Sequence, residues 1–124
     1  MSNMFGSSVL LNSVNLSSFN TSSVTNMAGM FYKTYGMSEI DISKFVTSSV
    51  THMQDMFRMT GAITIYVSQL FTANFAIDSS RMFMDATHLV GAAGTAYNAG
   101  NPQDRTYARI DTPAFPGYFT YRAP

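Results

Sequence analysis

The dipeptide Met-Phe occurs at Met4-Phe5, Met30-Phe31, Met56-Phe57 and Met82-Phe83, each 26 residues after the last. A step that regular makes the chain an array of stacked units, and so fixes its class of architecture before any single residue is weighed. The register runs beyond the pair. One step aligns Leu11, Met37 and Ile63; Val14, Ile40 and Tyr66; Leu16 and Ile42; Phe19, Phe45 and Phe71; Met1, Met27 and Met53. Two units are near copies, "VNLSSFNTSSVTNMAGMF" (14–31) and "IDISKFVTSSVTHMQDMF" (40–57), whereas "YVSQLFTANFAIDSSRMF" (66–83) drifts.

A chain of 124 residues holds one domain at most, and only 11% of its residues are charged, against about 25% in globular chains. Polarity comes instead from Ser, Thr and Asn, which suit hydrogen-bonded ladders between units. With 7 basic and 7 acidic side chains and no basic stripe, neither nucleic acid nor an anionic membrane is an expected partner. Cysteine is absent, which excludes disulfides and thiolate metal sites. No apolar run reaches the roughly 18 residues that span a bilayer, and the first residues lack a signal peptide's pattern. An export signal, if the protein has one, is expected outside this sequence.

Each unit carries two apolar rhythms. Leu11-x-x-Val14-x-Leu16-x-x-Phe19 and its copy in 37–45 predict a short strand, with Val14 and Leu16, or Ile40 and Ile42, turned inward. In 22–31 the apolar residues Val24, Met27, Met30 and Phe31 are three and four apart, which predicts a short helix; Ser22 or Ser23, and Ser48 or Ser49, stand where an N-cap belongs. Strand, turn and short helix in 26 residues predict an α/β repeat, a short leucine-rich-repeat-like solenoid over residues 1–87. The Met columns read as core filler.

Residues 88–124 leave the repeat. A Gly/Asn/Pro-rich loop (91–104) leads into two β-prone runs, "TYARID" (106–111) and "GYFTYR" (117–122), with Pro113, Pro116 and Gly117 between them. This aromatic tail suits a β-rich C-terminal cap. No such lid precedes the first unit, so its strand is expected to be a bare edge open to self-association.

The units "LSSFNTSSVTNMAGMF" (16–31) and "ISKFVTSSVTHMQDMF" (42–57) resemble the repeats of BspA-like leucine-rich-repeat surface proteins. The tail resembles the end of such arrays in "TIYVSQLF" (64–71), "SSRMFMDATHLVGAAGTAY" (79–97), "TYARID" (106–111) and "PGYFT" (116–120). The likeness departs at Ala92-Ala93 and in the loop "NAGNPQD". It implies a secreted or surface-anchored bacterial protein, extracellular or on the cell surface, several of whose relatives are linked to adhesion. It supplies no catalytic residues and no universal ligand.

No catalytic constellation emerges from the residues themselves. His52 shares a column with Asn26, a polar turn position, and His88 is the only other histidine. Asp55, Asp78 and Asp85 are scattered where carboxylates commonly cap or solvate, so no metal and no cofactor are expected. The threonine columns Thr21/Thr47 and Thr25/Thr51 read as an internal hydroxyl ladder. Outward strand positions form the remaining candidate: Asn15, then Glu39, Asp41 and Ser43, then Ile65, Val67 and Gln69. The expectation is a non-enzymatic binding or adhesion module presenting this face to a protein or glycan on a host or neighbouring cell. The alternative is a structural subunit of a virion or surface layer that stacks through its first repeat.

Overall fold

Backbone ladders, rather than helices, join one unit to the next. The computed structural model describes residues 20–124. In it the amides of Met27, Gly29, Phe31 and Lys33 donate to the carbonyls of His52, Gln54, Met56 and Arg58 at 2.8–3.0 Å. The amides of Met53, Asp55, Phe57 and Met59 then donate to Asp78, Ser80, Met82 and Met84 at 2.8–3.1 Å. The intervening amides close tight turns: Met30 onto Met27, Tyr32 onto Gly29, Met56 onto Met53, Arg58 onto Asp55.

This alternation has a backbone cause. Gly29, Asp55 and Arg81, one per unit, lie in the left-handed region at φ 63°, 58° and 54°; Lys33, Met59 and Asp85, four residues on, lie there at 58°, 58° and 59°. A left-handed residue every fourth position breaks any α-helix, at about 1–2 kcal/mol for each that is not glycine. The ladder offsets that cost by pairing amides that a helix would have sent four residues back.

The expected α/β fold is therefore corrected. No α-helix occurs among the described residues, and the only helical element is a 3-10 turn at Arg105–Tyr107. The apolar spacing misled because the turn ribbon, like a helix, returns residues three and four apart to one face. Met27, Met30 and Phe31 are fully buried, as are Met53, Met56 and Phe57. The serines proposed as caps have no helix to cap. Ser22 instead donates its amide and hydroxyl to Asn20, and Ser49 its hydroxyl to the Ser22 carbonyl.

Columns of like residues fill the core. Phe31, Phe57 and Phe83 stack face to face, with centroids 5.6 and 5.5 Å apart. The buried hydroxyls of Thr34 and Thr60 meet at 2.7 Å. Thr21 donates to the Val46 carbonyl and accepts from the Val46 amide, and Thr47 does the same with Thr72, so these hydroxyls tie each unit to the next.

Three short strands, β1 (Glu39–Asp41), β2 (Thr64–Val67) and β3 (Phe119–Tyr121), form a parallel sheet in that order. Ile40 pairs with Ile65, 25 residues on rather than 26. The slip is local. Thr34 and Thr60 remain 26 apart, but 34–37 reads Thr-Tyr-Gly-Met and 60–62 reads Thr-Gly-Ala, so Tyr35 has no counterpart. Gly61 permits the shortened turn, because a Cβ there would lie 2.4 Å from the Tyr35 carbonyl oxygen. The frame is restored by Ser68, since the turns closed by Phe45 onto Ile42 and by Phe71 onto Ser68 lie 26 apart. A one-residue slip exchanges the two faces of a strand. Ile65 and Val67 accordingly point inward and are buried, and Tyr66 points outward.

The tail adds β3 beside β2, with Ile65 opposite Phe119. Tyr118 and Phe119 are fully buried and meet Phe83 edge-on at 5.2 and 5.7 Å. Of the two β-prone runs, 117–122 contains β3, while 106–111 contributes most of the 3-10 turn and a single bridging residue, Ile110. Asp111 is 4% exposed and holds the tail together. One of its oxygens accepts the amides of Ala93 and Thr95, the other the Thr95 hydroxyl and the Gly117 amide. The bare first edge expected for self-association, with Val14 and Leu16, lies outside the described residues.

Candidate binding face

The outer face of the sheet is set by the register just described. On β1, alternation buries Ile40 and exposes Glu39 and Asp41. On β2 the slip presents Thr64 and Tyr66, both half-buried, and on β3 Thr120 lies opposite Tyr66.

Arg122, one residue past β3, ties this face together. Its amide donates to the Val67 carbonyl at 2.8 Å, anchoring the backbone. Its side chain crosses β2, with Cζ 3.6 Å from the Tyr66 ring centroid, and reaches the Asp41 carboxylate at 2.8 Å. Cation and ring are close enough for a favourable cation–π contact. Partial burial alone would raise the Asp41 pKa, but hydrogen bonds from Ser43 and the Arg122 guanidinium outweigh it and hold the carboxyl below its ordinary value. The hydrogen bond to Asp41 in turn raises Arg122. Both groups are thus charged at neutral pH. At the sheet's end the Tyr121 hydroxyl donates to the Gln69 side-chain oxygen at 3.2 Å.

Of the residues the sequence nominated, Glu39, Asp41 and Gln69 lie exposed at this face. Ser43, Ile65 and Val67 do not: they are 5%, 0% and 1% exposed, so their expected outward placement is corrected. Ser43 donates its amide back to Asp41, and Ile65 and Val67 belong to the core because the β2 register is 25. Asn15 lies outside the described residues. Sequence reasoning missed Tyr66, Thr120 and Arg122. The unmatched Tyr35 before Gly36, set against Thr60-Gly61, was the available sign that Tyr66 faces out. Nothing in the sequence placed Arg122 over β2.

Other chemistry is dispersed. His52 is half-buried, its Nδ1 3.0 Å from the Thr51 hydroxyl, and bridges in parallel to Asn26 and Asp78. His88 and Asp85 line an open recess of about 400 Å³ with Tyr35 and Met59, and both are exposed. Asp55 is held by Arg81 at 3.0 Å and Arg58 at 3.5 Å. The amide and hydroxyl of Ser80 bind the Asp78 carboxylate and lower its pKa. Among the described residues no group of three His, Asp or Glu side chains is placed to hold a metal ion. None of their helices is long and apolar enough to cross a membrane.

No curated protein and no solved structure matches the chain. A family model does, over residues 1–102, which takes in the whole repeat array and the start of the tail. With its 26-residue array in view, the chain is a repeat protein that belongs to the family described as Mycoplasma protein of unknown function, DUF285.

Proposed function

We propose that the protein is a non-enzymatic binding module of a bacterial surface or secreted repeat protein, and that the outer sheet face is where it docks on a protein or glycan of a host or neighbouring cell. The observation that carries this reading is the Asp41–Arg122–Tyr66 arrangement. It fixes a cation, an anion and an aromatic ring across three strands on an accessible surface. Flanked by Glu39 and Gln69, it offers the mixture of ring and hydrogen-bonding groups from which energetically dominant contacts are built. Membership of this family suits a surface-associated repeat protein, and stacked units characteristically present extended faces for binding. Dispersal of the histidines and carboxylates favours binding over catalysis.

The test is binding of the purified chain to immobilised extracellular-matrix proteins and to glycan-bearing cells, compared with a Glu39→Lys, Tyr66→Ala, Arg122→Glu variant. Loss of binding by a variant that still unfolds in one cooperative transition supports the reading. Equal binding by both proteins refutes it.

A further inference from the structure

The chain has five arginines, and three of them, Arg58, Arg81 and Arg122, are ion-paired to Asp55 or Asp41. The other two, Arg105 and Arg109, make no ion pair with a carboxylate among the described residues, and both line one cleft of about 490 Å³. Asp104, beside Arg105 along the chain, is engaged by the Thr106 amide at 2.9 Å and hydroxyl at 2.6 Å, and Asp111, two residues from Arg109, by Ala93, Thr95 and Gly117. We propose that this cleft binds an acidic saccharide, whose carboxylate is taken by the guanidinium groups of Arg105 and Arg109.

Both guanidiniums are anchored without being used up. Nη1 of Arg105 donates to the carbonyls of Asn74 and Ala76 at 3.2 and 3.1 Å, with that of Ala73 at 3.5 Å. Arg109 donates from Nε to the Pro116 carbonyl at 2.8 Å, and its Cζ lies 5.6 Å from the centroid of the Phe115 ring. A guanidinium has five N–H donors, so each retains donors for a carboxylate. Fixing the groups beforehand reduces the ordering cost of binding.

The rest of the lining selects the ligand. Gln69, Thr72, Asn74 and Thr106 add amide and hydroxyl groups that complement a sugar's hydroxyls, and Phe71 and Ile110 supply apolar surface for its C–H face. The volume lies within the range of small-molecule sites, roughly 300–1,000 Å³, and accommodates one or two sugar rings. An acidic peptide would satisfy the arginines but would leave this ring of short polar side chains largely unused. Of the exposed sheet-face residues only Gln69 also lines the cleft, so the Glu39, Tyr66 and Arg122 variant leaves this site intact and the two readings fail separately.

The test is an amide chemical-shift titration of the whole chain with glucuronate and with N-acetylneuraminate, beside glucose, sodium acetate and an acidic hexapeptide. Saturable shifts confined to 67–74 and 105–110 with the acidic sugars, and much weaker ones with glucose and acetate, are expected. Arg109→Gln should weaken binding at least tenfold. Asn74→Asp, which keeps both arginines and sets a negative charge at the cleft, should also weaken it severalfold with an unchanged unfolding midpoint. Shifts of equal size with acetate, or a response to the peptide and not to the sugars, would overturn the proposal. So would undiminished binding by folded Asn74→Asp.

Discussion

Replacing Asp111 by Asn probes how the tail is held. The carboxylate accepts four hydrogen bonds, at 2.9 and 3.0 Å on one oxygen and 2.8 and 3.1 Å on the other. An amide keeps one oxygen for the Ala93 and Thr95 amides and turns its NH2 toward the Thr95 hydroxyl, which rotates to accept, and the Gly117 amide, which loses its partner. At about 1–3 kcal/mol for a buried group left unsatisfied, the cost is a large part of a domain's total stability. The loss should depend on pH. Burial acts to raise this carboxyl's pKa, but the bonds from Thr95, Gly117 and Ala93 outweigh it and hold it below the ordinary value. A carboxyl with a depressed folded pKa contributes stability that is fully present above the unfolded value, about 3.9, and is lost as pH falls through the folded value. Urea unfolding of both proteins at neutral pH and at about pH 2 measures the effect, since the other acids titrate alike in each and cancel. The gap between them should be wide at neutral pH and narrow in acid. Equal midpoints at neutral pH, or a gap that does not change with pH, would refute the reasoning.

Phe57→Ala removes the middle ring of the stack and its edge contact with Phe119 at 5.8 Å. It should cost about 3–5 kcal/mol in urea unfolding, whereas Phe75→Ser, at a side chain 59% exposed, should stay within about 0.5 kcal/mol. Gly61→Ala places a Cβ against the Tyr35 carbonyl and should lower stability by about 1–3 kcal/mol by forcing β2 away from β1. Arg122→Ala removes an ion pair whose side chains are 47% and 42% exposed and should cost no more than about 1 kcal/mol, so any larger loss of binding in that variant reports on the face itself.

The 26-residue step carried the fold a long way. It marked the Met and Phe columns that fill the core, because residues stacked in register must be alike to pack. It failed where periodicity is ambiguous. A ribbon of turns and a helix both return residues three and four apart to one face, and only the backbone sign at Gly29, Asp55 and Arg81 separates them. A lone glycine at 29 hinted at it, but Asp55 and Arg81 in the same column concealed it. The site suffered from a finer error. One missing residue beside Gly61 shifts β2 by a place, so Ile65 and Val67 went to the core and Tyr66 to the surface. Arg122 was illegible for another reason: it meets Asp41, 81 residues away, through a sheet order no local pattern encodes.

The central claim is that successive units are joined by a backbone ladder rather than packed helix on helix. Scalar couplings across hydrogen bonds, read in a long-range amide–carbonyl correlation spectrum, test it bond by bond. The ladder predicts couplings from the amides of Met53, Asp55, Phe57 and Met59 to the carbonyls of Asp78, Ser80, Met82 and Met84. Couplings from those amides to carbonyls four residues earlier in the chain would mark a helix and contradict the account.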